Sequence, residues 1–371
     1  MILRGRVICG SDRTWRARCA TSALVLLAGC GRGPVTPGAP VTPPSADTGS
    51  TLGVEDPPAT LGGCVVFPAD TFFHAVVEDL PVHPDSARWI RRLGAGRALR
   101  VPAAANTDIP WAPVRYGVPI TLADADTPRR EVTMDGHYPV DRQYQGPYPI
   151  PPGLDVQTGF DQQTIIVDVE ACAAYELIGY SNIFRPMANG GVRWDLATHD
   201  ALPDAAAVTA PRWPILGTVL RADEIRAGRI DHVLAFTIPD VARDAPEVED
   251  DVLWPALASD GIADEPDAVP MGAWLRLRAD VDLSGAPAAV QVVGDALRRH
   301  GMLLGDTGGT ADALHLKLEK REGWQDASGA DVARVLTDLG QWITAGDLEV
   351  IDPTSIRAED GGAYGGAFAI R

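Results

Sequence analysis

Thr164-Ile165-Ile166-Val167-Asp168-Val169-Glu170-Ala171-Cys172-Ala173-Ala174-Tyr175-Glu176-Leu177-Ile178 is the stretch whose reading decides the fold. Two apolar runs of strand length flank Asp168-Val169-Glu170, which brings in two carboxylates. That pattern predicts an antiparallel hairpin bending near Glu170. Working outward, residues 192–196 read as a further strand. Residues 118–122 and 131–134 read as short strands on either side of an Asp- and Pro-rich turn. Residues 135–153 are rich in Pro, Tyr and Gly and predict an irregular aromatic loop.

Downstream, residues 230–238 read as a buried strand that contains His232. Residues 274–282 alternate Leu275, Leu277, Ala279 and Val281 with Arg276, Arg278, Asp280 and Asp282. That strict period of two predicts a half-buried strand with a charged face. Residues 302–304, 314–318 and 348–351 complete the strand set. Helices are expected over residues 85–93, 204–208, 222–227, 287–300 and 331–343, the first capped by Asp85 or Ser86 and stopped by Gly94. Many short strands with few helices imply an α+β fold. Its core is expected to be predominantly antiparallel and β-sandwich-like, with a few short helices. Regular strand–helix alternation, which a doubly wound parallel sheet needs, is missing.

The N-terminal region has a different character. Arg4, Arg6, Arg13, Arg16 and Arg18 precede a short apolar core over residues 20–27, and Ala28 and Gly29 then precede Cys30. This is the order of a secretory signal, and its apolar run is too short to span a bilayer. Leu27-Ala28-Gly29-Cys30 resembles the lipobox of bacterial lipoproteins. The resemblance implies cleavage before Cys30, lipid on Cys30, and a place in the cell envelope at the outer membrane or cell surface. The expected organisation is a signal peptide over residues 1–29, a Pro/Gly-rich tether over 30–60, a globular domain over 61–356 and a flexible C-terminal tail over 357–371.

Removing the leader's five arginines and one aspartate leaves 27 basic and 49 acidic residues, a net charge of about −22. Such a chain is a poor partner for nucleic acid or an anionic membrane surface. Of five cysteines, Cys9 and Cys19 leave with the signal and Cys30 takes lipid. Cys64 and Cys172 remain as an even pair in an oxidising compartment, which predicts a disulfide.

From position 64 to 352 the chain also resembles a family of exported bacterial proteins of unassigned function. The motifs are Phe67-Pro-Ala-Asp70, Leu80-Pro-Val-His-Pro-Asp-Ser86, Gly146-Pro-Tyr-Pro-Ile-Pro-Pro152, Tyr175-Glu-Leu177, Ile230-Asp-His-Val-Leu-Ala-Phe236, Trp254-Pro-Ala256, Pro270-Met-Gly272 and Gly301-Met302 with Asp306 after it. The resemblance carries no catalytic assignment. After Asp70, where an amide-and-tryptophan stretch is expected, this chain has Thr-Phe-Phe-His.

No phosphate loop, His-Glu-x-x-His, Gly-x-Ser-x-Gly or Cys-x-x-Cys occurs, so no cofactor is expected. Asp280-Val-Asp282-Leu-Ser284-Gly285 copies the first half of a calcium loop, but its twelfth position is Gln291 and no metal is assigned. Asp306 follows Met302-Leu303-Leu304 and precedes Thr307-Gly308-Gly309, which predicts a carboxylate at a strand mouth. The bland counterpart is a turn residue that satisfies backbone amides. His232, inside an apolar run, is either a satisfied core histidine or a general base. Asp306, His232 and Glu176 are the catalytic candidates. Arg276, Asp195 and Trp194 are the ligand-binding candidates, since Arg suits bidentate carboxylate recognition. The aromatics Trp111, Tyr116, Tyr144, Tyr148 and Trp194 either line a sugar cleft or pack half-buried.

Two functions compete. One is a non-catalytic envelope lipoprotein, a binding or structural module held at the membrane by lipid on Cys30. The other is a carbohydrate-active protein, a hydrolase or lyase acting on an extracellular polysaccharide, with two carboxyl groups roughly 5–9.5 Å apart. Convergence of the candidates in one groove separates them.

Overall fold

The computed structural model describes residues 60–101, 117–138, 143–159, 161–202, 208–243, 252–320, 323–358 and 367–371. The leader, Cys30 and nearly all of the tether lie outside the described residues, as do Trp111, Tyr116 and most of the helix expected at 204–208.

Two sheets organise the folded part. The first has four strands: β2 (Ile120–Ala123), β3 (Thr164–Asp168), β4 (Ala173–Ile178) and β5 (Gly190–Asp195), in the order β5-β4-β3-β2. The expected hairpin is β3–β4, with Ile166 opposite Tyr175. Its bend forms because Asp168 Oδ1 accepts the amides of Glu170 and Ala171, each at 3.1 Å. Both faces of this sheet are covered. Ile165, Val167, Ala174 and Trp194 enter the main core, while Ile166, Tyr175 and Leu177 enter a smaller cluster with Tyr148 and Ile150. Burial on both faces explains a near-continuous apolar sequence in place of clean alternation.

The second sheet has six strands: β1 (Ala98–Arg100), β6 (Leu234–Ile238), β7 (Trp274–Leu277), β8 (Met302–Thr307), β9 (Ala313–Leu316) and β10 (Leu348–Val350). Their order is β10-β7-β8-β6-β9-β1. Antiparallel pairs predominate across the two sheets, but β6/β8, β9/β1 and β2/β3 are parallel. The fold is therefore α+β with a sheet-rich core whose sheets are mixed. Four helices accompany the sheets among the described residues: α1 (Ser86–Leu93), α2 (Ala222–Ala227), α3 (Ala288–Arg299) and α4 (Ala333–Thr337). Helix α1 packs on β10 and α3 on β7. Gly94 stops α1 at φ 84°, a left-handed conformation open to glycine. No helix among the described residues is long and apolar enough to cross a membrane.

Four expectations change. The helix expected over 331–343 ends at Thr337 and gives way to a 3-10 turn, Leu339–Gln341, where Gly340 lies so close to Ala98 that a Cβ would collide. Strand β6 begins only at Leu234, so His232 sits in the bend before it. The strand expected over 274–282 ends at Leu277: Arg276 within it is buried, while Asp280 and Asp282, expected on its charged face, lie exposed beyond its end. Of the tail expected over 357–371, the described residues 367–371 are packed on the domain: the Phe368 amide donates to the His199 carbonyl at 2.9 Å and its ring is buried. Phe72 joins Phe73, Trp213, Trp254, Trp274 and Phe368 in one aromatic cluster, and such pairs add to the stabilisation from burial alone.

Cys64 and Cys172 form the predicted disulfide, with Cα atoms 5.4 Å apart. It ties the short strand Cys64–Val65 to the turn between β3 and β4.

Candidate functional site

The site begins with a β-bulge. Along β8 and β6, Leu304 faces Phe236, but the next pair is Asp306 with Thr237, leaving Gly305 extra. A bulge changes the parity of the strand beyond it. Leu304 and Phe236 belong to the core, whereas Asp306 emerges beside Thr237 on the other face. Glycine suits the extra position, since a Cβ there would stand 3.0 Å from Trp213 Cζ2 and 3.3 Å from the Ala235 Cβ.

The neighbouring strands extend that polar face. Thr237 pairs with His315 on β9, and His315 pairs with Arg100 on β1. Asp306, Thr237, His315 and Arg100 thus form one row across four strands. Lys317 lies two residues beyond His315, so it shares the face. All five line a cleft of about 760 Å³, together with Asp161, Gln157, Gln163 and the turn from Thr307 to Thr310.

Several polar groups of the cleft are paired. Lys317 Nζ donates to Asp306 Oδ2 at 2.5 Å, and Arg100 Nη1 donates to Asp312 Oδ2 at 2.8 Å. Thr307 Oγ1 donates to Asp260 Oδ1 at 2.6 Å. Burial, with the nearby Asp306 carboxylate, raises the pKa of both Asp161 and Asp260 above the usual carboxylate range. Burial lowers the pKa of His315. Its neutral Nε2 accepts the Thr310 amide at 3.2 Å. The cleft therefore offers hydroxyl, amide, imidazole and carboxyl groups that hydrogen-bond a polar molecule. Its described lining contains no Trp, Tyr or Phe.

Only Asp306 among the candidates opens onto this cleft. His232 is buried elsewhere, its ring nitrogens 2.8 Å from the Val233 carbonyl oxygen and 2.8 Å from Glu224 Oε1. Glu224 also takes the Arg221 guanidinium; burial opposes its charge, but Arg221 and His232 hold its carboxyl below the usual range. Glu176 is fully buried and accepts the Leu216 amide at 2.9 Å and Trp194 Nε1 at 3.1 Å. Burial pushes its pKa up to about 7. Trp194 is sealed in the core, so it is no ligand platform. Arg276 binds Glu349 and the carbonyls of Val77, Glu78 and Leu80, which uses the donors a ligand carboxylate would need. Asp195, the last residue of β5, is exposed, and its Oδ1 accepts the Ala197 amide. Tyr144 and Tyr148 pack edge-on with Tyr175 against the first sheet. Asp280 pairs with Arg278, and Asp282 accepts the Ser284 amide.

The sequence reading missed Lys317, Asp161, Asp260 and His315. The alternation of His315 and Lys317 against Leu314, Leu316 and Leu318 carried the signal for two of them. Asp161 and Asp260 come from loops distant in sequence and had no local signal.

The chain matches no family model, no curated protein and no solved structure.

Proposed function

We propose that this is a cell-envelope lipoprotein, anchored through lipid on Cys30, whose folded domain is a non-catalytic binding or structural module. One observation carries the non-catalytic reading. Five of the six site candidates are held by other contacts away from the cleft, and the sixth, Asp306, is ion-paired with Lys317. A free general acid or base needs an available proton site within reach of substrate. The oxidised Cys64–Cys172 pair supports an extracytoplasmic location.

The second reading, a hydrolase or lyase on an extracellular polysaccharide, draws on the same cleft. Asp161 and Asp260 keep raised carboxyl pKa values close to Asp306. One experiment separates the two: incubate the protein with an array of extracellular glycans and assay both retention and release of new chain ends. The binding-module reading expects no release. Release that disappears in Asp306→Asn establishes the enzyme reading instead.

A further inference from the structure

Strand β4 leaves the first sheet at Ile178, and the chain turns out through a short loop before returning at Met187. Ser181 and Met187 exchange both backbone hydrogen bonds, each at 2.9 Å, and so close the base of the loop. Below it, Asn189 packs over Gly179 and its Nδ2 donates to Asp135 Oδ2 at 3.0 Å. Met187 and Ala188 pair with Thr133 and Met134. The stem is therefore fixed on three sides.

At the tip stand Ile183 and Phe184, 81% and 98% exposed. Neither makes a ring contact within the described residues. Their neighbours Asn182 and Arg185 are exposed as well, and Arg185 has no ion pair among the described residues. A molecule that buries every other phenylalanine in its described part displays this one almost completely.

We propose that Ile183 and Phe184 dip into the surface of the membrane that carries the lipid on Cys30, giving the domain a second, orienting contact. This rests on the lipoprotein reading above. A lipid surface suits the tip better than a protein pocket. Two apolar side chains ringed by Ser181, Asn182 and Arg185 fall far short of the roughly 800 Å² per partner that a stable protein interface buries. A bilayer asks only for projection: the apolar pair enters the acyl boundary while the Arg185 head stays among the headgroups. The weakness of so small a contact is offset by the anchor, which makes the second binding event intramolecular.

The geometry permits it. The tether root at Thr60 pairs with Val65, next to Cys64, which is bonded to Cys172 just before β4; the tip follows the far end of that strand. Six strand residues separate the two ends by roughly 20 Å. The 29 residues between Cys30 and Thr60 can span up to roughly 100 Å. The acidic mature chain favours zwitterionic over anionic lipid.

The test uses the full chain, purified with its lipid and reconstituted on phosphatidylcholine vesicles, as wild type and Phe184→Trp. Vesicle flotation reports the anchor. Emission of the indole added by F184W, taken as the difference from wild type, reports the tip. We expect both proteins to float, with the added emission blue-shifted and quenched when brominated acyl chains replace ordinary ones. Flotation with red, unquenched added emission overturns the tip contact alone and leaves a protein pocket as the occupant. Failure of wild type to float overturns the lipoprotein reading, and this inference with it.

Discussion

Glu176 shows what a single buried carboxyl does to the whole molecule. It lies between Trp194 and Leu216 with no water-facing side, and its pKa stands near 7 against an ordinary 4.5. Between those values the folded protein keeps a proton that the unfolded chain releases. Stability is thus fully present below about pH 4.5 and declines as pH rises toward 7, by roughly 3 kcal/mol in all. In Glu176→Gln this pH-dependent part should vanish. Denaturant titrations of both proteins across that window check it; parallel stability curves would refute the assignment. The sequence marked Glu176 as a strand carboxylate but not as a buried one, because its partners Trp194 and Leu216 come from other segments. The same limit hid the fate of Arg276. Alternation placed it on a charged face, and only the fold brings Glu349 and three backbone carbonyls to cover it.

At the scale of elements, local patterns survived wherever the decisive neighbours were local. The β3–β4 hairpin, α1 with its Gly94 stop, and α3 needed only the turn chemistry and periodicity inside them. The order of strands in the second sheet was not legible, because β6 and β8 pair across β7 and α3. The bulge at Gly305 belongs to the same class. Simple alternation would send Asp306 to the same face as Leu304, into the core. The extra residue instead turns it out to Lys317. Gly305→Ala should crowd the buried Trp213 ring and destabilise the protein by roughly 1–3 kcal/mol, the usual cost of overpacking. Urea unfolding measures it. An unchanged midpoint would mean that Trp213 yields freely and that the bulge does not depend on glycine.

For the whole molecule, the disulfide closes a loop with a sequence separation of 108 residues. Reduction should lower stability by about 4–5 kcal/mol in the chain-entropy model. Denaturant unfolding with and without reductant checks this, and coincident curves would count against a stabilising role. The pairing was readable from cysteine arithmetic alone, whereas the place of Phe368 was not, since nothing near it in sequence announces a core residue. Phe368 nevertheless rests 5.3 Å, centroid to centroid, from Phe72, a residue 296 positions earlier. That contact sets a clock. A ribosome adding roughly 5–20 residues per second needs about 15–60 seconds to pass from one ring to the other. Throughout that interval Phe72 lacks one wall of its packing, and the aromatic cluster around it cannot close.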